Sequence, residues 1–219
     1  AENLKPCNIG AQGTCCKNCA MGPCRLPLPK SGIEGEDTRK GICGATANTI
    51  AARNFIRMIA GGAAAHSDHG RAVAEVFLST ARKENDDYQI KDPIKLKAVA
   101  EALDIETTVE VDGEVKDRDI DEIAVETAEV ALNEWGKPEG ELIYAKRAPA
   151  PLYEKWKKQG VIPRNIDREI VEIMHRTHIG VDQDYKNLIK QGSRAAIADG
   201  WGGSMLATDL QDILFGTPY

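Results

Sequence analysis

A chain of 219 residues with 42 % hydrophobic and 28 % charged residues has the make-up of an ordinary globular protein, long enough to bury a core without disulfide staples. Its net charge of −6, and the lack of any basic run with interleaved aromatics, argue against a nucleic-acid-binding surface. No apolar run approaches the roughly 20 residues that span a bilayer. The opening AENLKPC has neither the charged nor the apolar region of a secretory signal, so a cytoplasmic protein is expected.

Residues 1–43 hold all six cysteines, Cys7, Cys15, Cys16, Cys19, Cys24 and Cys43, amid Gly, Pro and Lys. They show no helical or alternating apolar period, which predicts loop wrapped around a ligand. From residue 44 the pattern turns helical. Ile50, Phe55, Met58, Ile59, Val73, Val76 and Phe77 recur at helical spacing, and the Gly61-Gly62 pair marks a break, kink or close contact, so two helices are expected there. Asp92 and Pro93 start a short helix as N-cap and first helical residue. TVEVDGEVK alternates about Asp112-Gly113 as one small β-hairpin would.

The clearest amphipathic helix follows, with Ile120, Ile123, Ala124, Ala128, Ala131, Leu132 and Trp135 at three- and four-residue steps up to Gly136. APAPLYEKWKKQG, NIDREIVEIMHRTHIG, DQDYKNLIKQGSRAAIADG and GSMLATDLQDILFG each read as helix ending near glycine, with GWGGS as a helix–helix turn. His175 and His178 lie three apart in the second of these and are expected to pack or hydrogen-bond in the core. The fold class expected is mostly α: a cysteine-rich segment, 1–43, forming one compact unit with a helical domain, 44–219.

A local cysteine cluster in a reducing compartment reads as metal binding rather than a disulfide framework. Cys16, Cys19 and Cys24, spaced C-x2-C-x4-C, can curl around one inorganic core, and Cys43 supplies a fourth corner beyond 18 residues. Structural zinc and disulfides remain open, although zinc sites usually pair two C-x2-C knuckles and only one is present. Adjacent Cys15 and Cys16 project in different directions and so serve two sites. Cys7 and Cys15 are then half of a four-thiolate set that a second copy of the chain would complete, the alternative being that Cys7 is a free thiol. No dinucleotide-binding, P-loop or nucleophile-elbow motif accompanies them, which describes an electron relay rather than a reaction centre.

CNIGAQGTCCKNCAMGPCR, GICGATANTIAARNFIRMIAGGAAAHSDHGR, HRTHIGVDQDYKN and ADGWGGSMLATDLQDILFG together resemble the amino-terminal region of the anaerobic nickel–iron carbon monoxide dehydrogenases. The resemblance implies a helical, cluster-bearing domain of a homodimeric enzyme that interconverts CO and CO2. It assigns Cys7 and Cys15 to an iron–sulfur cluster shared across the dimer axis, and Cys16, Cys19, Cys24 and Cys43 to a [4Fe–4S] cluster within the subunit. The nickel–iron–sulfur active cluster is held in that family by residues farther along, and no cysteine follows Cys43. The chain therefore looks like one domain of a longer polypeptide, inactive alone. A ferredoxin-type acceptor, and in some members an acetyl-CoA synthase subunit, are the implied partners.

His66 matches a family histidine that reaches toward the active cluster and assists acid–base chemistry, as an imidazole titrating near neutral pH can. His69 follows one turn along the same face and extends a proton path. The sequence departs from the family where Ala72 and Glu75 stand in place of further histidines, and where the loop from Cys24 to Cys43 is longer. Two rivals are a hybrid-cluster protein that reduces nitrogen compounds and a stand-alone iron–sulfur or zinc interaction module. The CC dyad and AHSDHGR favour the dehydrogenase over the first.

Overall fold

The computed structural model describes residues 3–218. In chain order it runs through α1 (Asn8–Ala11), β1 (Cys15–Cys16), β2 (Cys24–Arg25), α2 (Ala47–Ala81), α3 (Pro93–Ala102), β3 (Thr108–Val111), β4 (Glu114–Asp117) and α4 (Ile120–Gly136). A 3-10 turn (Ile143–Arg147) leads to α5 (Ala150–Gln159), α6 (Ile166–Arg176) and α7 (Tyr185–Ile197), and a π-helical segment (Ala198–Leu206) runs on into α8 (Ala207–Phe215). The fold is mostly helical, as expected. β1 and β2 form a second small antiparallel sheet, in addition to the expected β3–β4 hairpin.

The chain forms two compact units: Ala1–Gly61 with Ile170–Ser193, and Gly62–Glu169 with Arg194–Tyr219. In the first, Cys16, Leu26, Ala45 and Ile50 form a core cluster against which Cys24 and Cys43 pack. α7 comes close to α2, so that a Cβ on Gly192 would lie 2.6 Å from Ile56 Cγ2. In the second unit α3 packs on both α4 and α8. Ala124, Ala128 and Ala131 bury one face of α4 completely, together with Ile123 and Trp135, which is the predicted stripe.

The helix starts follow their caps. The Asp92 carboxylate accepts from Lys95 N at 2.8 Å, with Pro93 at the first helical position. Asp119 accepts from the backbone N–H of Asp121 and Glu122, leaving fewer orphan donors at the α4 start. The β3–β4 turn has positive φ at both Asp112 and Gly113, the requirement of a two-residue hairpin loop.

Three expectations need correction. Gly61 and Gly62 do not separate two helices: α2 is one helix of 35 residues, and the pair is exposed with nothing near the place of a Cβ. The helix on either side carries the low propensity of two glycines, about 1 kcal/mol each. GWGGS is not a turn but lies within the π-helical segment. Gly202 and Gly203 answer to close packing, since a Cβ on Gly202 would meet Ile166 Cδ1 at 2.9 Å and Leu142 Cδ1 at 3.1 Å and one on Gly203 would meet His66 Cβ at 3.2 Å. Finally, α6 ends at Arg176, His178 lies beyond it, and both His175 and His178 are exposed rather than in the core.

Candidate metal centre

Strand alternation decides where the adjacent cysteines go. Successive residues of a strand face opposite sides, and β1 pairs with β2 in the register Cys15↔Arg25 and Cys16↔Cys24. Cys16 and Cys24 therefore share one face and Cys15 and Arg25 the other. Leu26 N donates to Thr14 O at 3.0 Å and extends the ladder. The segment between the strands carries Cys19 and a cis Gly22-Pro23 peptide. Gly22 passes close to the backbone, so that a Cβ there would lie 3.0 Å from the Cys16 carbonyl oxygen.

Cys43 reaches the same place through a turn in which Gly41 N donates to Ala45 O and Gly44 N to Gly41 O. Gly41 passes close to its neighbour, so that a Cβ would stand 3.1 Å from Cys24 Cβ and 3.3 Å from its Sγ. Ile42 N points at Cys24 Sγ from 3.4 Å. Gln183 Nε2 donates to the Cys43 carbonyl at 2.7 Å, and Thr49 of α2 holds the Gln183 carbonyl in turn, also at 2.7 Å. Burial pushes the Cys43 thiol up, but the Arg53 guanidinium, the backbone N–H of Ala45 and Gly180, and Gln183 more than offset it. The result is a pKa lowered from 9.0 to about 7.

Cys16, Cys19, Cys24 and Cys43 thus line one small cavity of about 10 Å³. The four sulfurs surround it without converging: among the described residues, no three Cys, His, Asp or Glu side chains meet as they would around a single metal ion. Two buried donors on the cavity wall, Arg53 Nε and Asn18 Nδ2, have no partner among the described residues, in a class of group that is nearly always hydrogen-bonded. Four thiols, two glycine faces trimmed for close approach and unspent N–H groups fit an iron–sulfur core.

Cys7 and Cys15 line a different, open depression with Lys17, Arg25, Phe55 and Met58. Asn54 of α2 fixes this loop by donating to the carbonyls of Gly13 and Cys15, both at 3.0 Å. The N–H groups of Gly10 and Ile9, at the start of α1, lower the pKa of the exposed Cys7 thiol. Phe55 and Met58 are exposed although they belong to the predicted apolar set of α2.

In the second unit His66 of α2 meets Asp199 of the π-helical segment, Nδ1 to Oδ1 at 2.7 Å, with Ser204 Oγ at 3.3 Å. A carboxylate at Nδ1 places the N–H there and leaves Nε2 for chemistry. The backbone of the segment comes in close because residue 203 is glycine: a Cβ would lie 3.2 Å from His66 Cβ. His69 does not share these partners. Its Nε2 lies 3.4 Å from Gln211 Nε2, on an apolar groove lined also by Ala72, Val73, Val76 and Phe215.

Sequence reasoning missed Arg53, Asn54, Gln183 and Asp199. A signal existed for Arg53, which stands between Ile50 and Ile56 at three-residue steps in the apolar stripe. Asp199 had none, being 133 residues from His66.

The sequence profile of the prismane/CO dehydrogenase family matches residues 14–219. Carbon monoxide dehydrogenase 1 of Methanosarcina acetivorans is 50 % identical over 218 residues, 99 % of this chain and 32 % of that protein. Among solved structures, the nickel-free carbon monoxide dehydrogenase from Thermococcus sp. AM4 superposes with a TM-score of 0.86 at 50 % identity, over 99 % of this chain and 32 % of that one. An acetyl-CoA synthase/carbon monoxide dehydrogenase, described with NiZn[Fe4S4] and NiNi[Fe4S4] clusters in its alpha subunits, superposes at 0.85 with 38 % identity over 99 % and 31 %. The chain spans about a third of the length of these relatives.

Proposed function

Because the chain belongs to the prismane/CO dehydrogenase family, we propose that it is the amino-terminal, cluster-bearing part of a nickel-dependent carbon monoxide dehydrogenase, CO + H2O to CO2 + 2 H+ + 2 e−. The observation that carries this reading is the partition of six cysteines between two cavities, four and two. Cys16, Cys19, Cys24 and Cys43 would hold a [4Fe–4S] cluster within the subunit. Cys7 and Cys15 supply half of a second set, and a symmetric homodimer completes it. Phe55 and Met58, exposed beside those two thiols, offer apolar surface for that contact. When bound, such clusters carry electrons one at a time toward a ferredoxin-type acceptor.

His66 is the chain's own acid–base group. Asp199 accepts from Nδ1–H, so Nε2 presents a lone pair to a proton released by the reaction, and the carboxylate stabilises the imidazolium that forms. His69, one turn on, extends the path away from it. The ligands of a nickel-bearing centre are not among these residues, since no cysteine follows Cys43, and an acetyl-CoA synthase partner is proposed only by likeness to the bifunctional relative.

Anaerobic iron analysis of the full-length enzyme tests the reading. Cys7→Ser and Cys15→Ser each remove about two irons per chain and weaken the dimer, whereas Cys16→Ser, Cys19→Ser, Cys24→Ser or Cys43→Ser removes about four, by ligand counting. Full iron content in Cys15→Ser, or zinc without labile sulfide in the parent protein, overturns it.

A further inference from the structure

Arg53 lies on α2 with 1 % of its surface exposed, and it lines the cavity of Cys16, Cys19, Cys24 and Cys43. Its Nη1 donates to Cys43 Sγ at 3.5 Å and its Nη2 to the Asp182 carbonyl at 2.9 Å. The buried Nε–H has no partner among the described residues. No carboxylate is within ion-pair distance of it among the described residues: the Asp182 carboxylate, the nearest in sequence to that carbonyl, is engaged by Arg176 at 3.1 Å.

A guanidinium stays protonated at any ordinary pH, and an isolated buried charge carries a heavy desolvation cost unless an opposite charge answers it. A carbonyl and one thiol do not balance a full positive charge. What the cavity lacks is an anion, and a cluster ligated by thiolates is one. We propose that Arg53 is the cationic counterpart of the cluster held by these four cysteines, and that its charge raises that cluster's reduction potential. The inference rests on reading the four cysteines as cluster ligands. Each electron the site accepts adds one negative charge, with no bond made or broken. A fixed cation in surroundings of low dielectric constant therefore favours the reduced form over the oxidised one.

Redox titration of the full-length enzyme, followed by electron paramagnetic resonance, tests this with the reductant of the titration as the electron source. The signal of the four-thiolate cluster is the one lost in Cys24→Ser. Arg53→Gln should shift its midpoint to more negative potential at unchanged iron content, while Arg53→Lys, which keeps the charge, should leave it close to the parent value. An unchanged midpoint in Arg53→Gln overturns the proposal, as does a shift in Arg53→Lys as large as that in Arg53→Gln. If Arg53→Gln takes up no cluster, Arg53→Lys decides. Cluster uptake with the parent midpoint supports the role of charge, and loss of the cluster there too overturns it, because the geometry of the fork is then what the site needs. A parent enzyme without the signal refutes the cluster reading itself.

Discussion

Gly70→Ala and Gly61→Ala add the same methyl group to the same helix, and the two should move stability in opposite directions. At Gly70 the new Cβ would lie 2.5 Å from Trp135 Cζ2, 2.7 Å from Cε2 and 2.8 Å from Nε1. Trp135 is fully buried, so its rigid ring has no open side to retreat to. Overpacking a core costs about 1–3 kcal/mol, and a contact this short with an immobile ring takes the upper end. The better helix propensity of alanine returns about 1 kcal/mol, leaving a net loss of about 2 kcal/mol. In a chain of this size that lowers Tm by about 4–8 °C. At Gly61 nothing lies within 4 Å of the new Cβ, so propensity acts alone and the substitution stabilises by about 1 kcal/mol. Denaturant titration of the reduced, metal-free chain, followed by circular dichroism and tryptophan fluorescence, measures both. A destabilised Gly61→Ala would refute the continuous helix, and a neutral Gly70→Ala would refute the close approach to Trp135.

The functional side carries three further expectations. His66→Ala in the full-length enzyme should lower kcat by about 10²–10⁴-fold; Asp199→Asn should lower it less, since a carboxamide oxygen still accepts from Nδ1–H but no longer stabilises an imidazolium, and metal content should be unchanged in both. Gly41→Ala drives a methyl against Cys24 and should reduce iron uptake at the four-thiolate site, with the iron owed to Cys7 and Cys15 retained. In the metal-free chain the Cys43 thiol, lowered to about 7, should be alkylated half-maximally near that pH, and Arg53→Gln should move the midpoint upward, as peptide mass spectrometry can read site by site. The sign for folding follows. A depressed acidic pKa contributes stability that is present above the unfolded value of 9.0 and is lost as pH falls through about 7.

Part of the local geometry was legible because it rests on short-range rules. Adjacent cysteines were expected to project apart, and the pleat of β1 sends Cys16 toward Cys24 and Cys15 to the opposite face. The α4 stripe was equally readable, since a 3.6-residue period survives any tertiary context that buries one face. Glycine was where the reading failed, in two ways. Gly61 and Gly62 sit exposed inside one continuous helix, and elsewhere a glycine signals either a turn or a close approach without the sequence saying which. At Gly202 and Gly203 close approach won, to Ile166 and Leu142 in one case and to His66 in the other, and a π-helical segment stands where a turn was expected.

The polar partners form the other blind spot. Asp199 and His66 are brought together by packing alone, and no local pattern encodes a pair so distant. Arg53 differs, because its place in the stripe of Ile50 and Ile56 is visible without any structure. An amphipathic helix that sets a cation among its buried positions breaks its own pattern at a known cost, and such a break is expected where function requires it. An anion beside residue 53 would answer that cation, and Cys16, Cys19, Cys24 and Cys43 line the cavity there. Ligand counting and buried charge thus bear on the same proposed cluster, the second resting on the first.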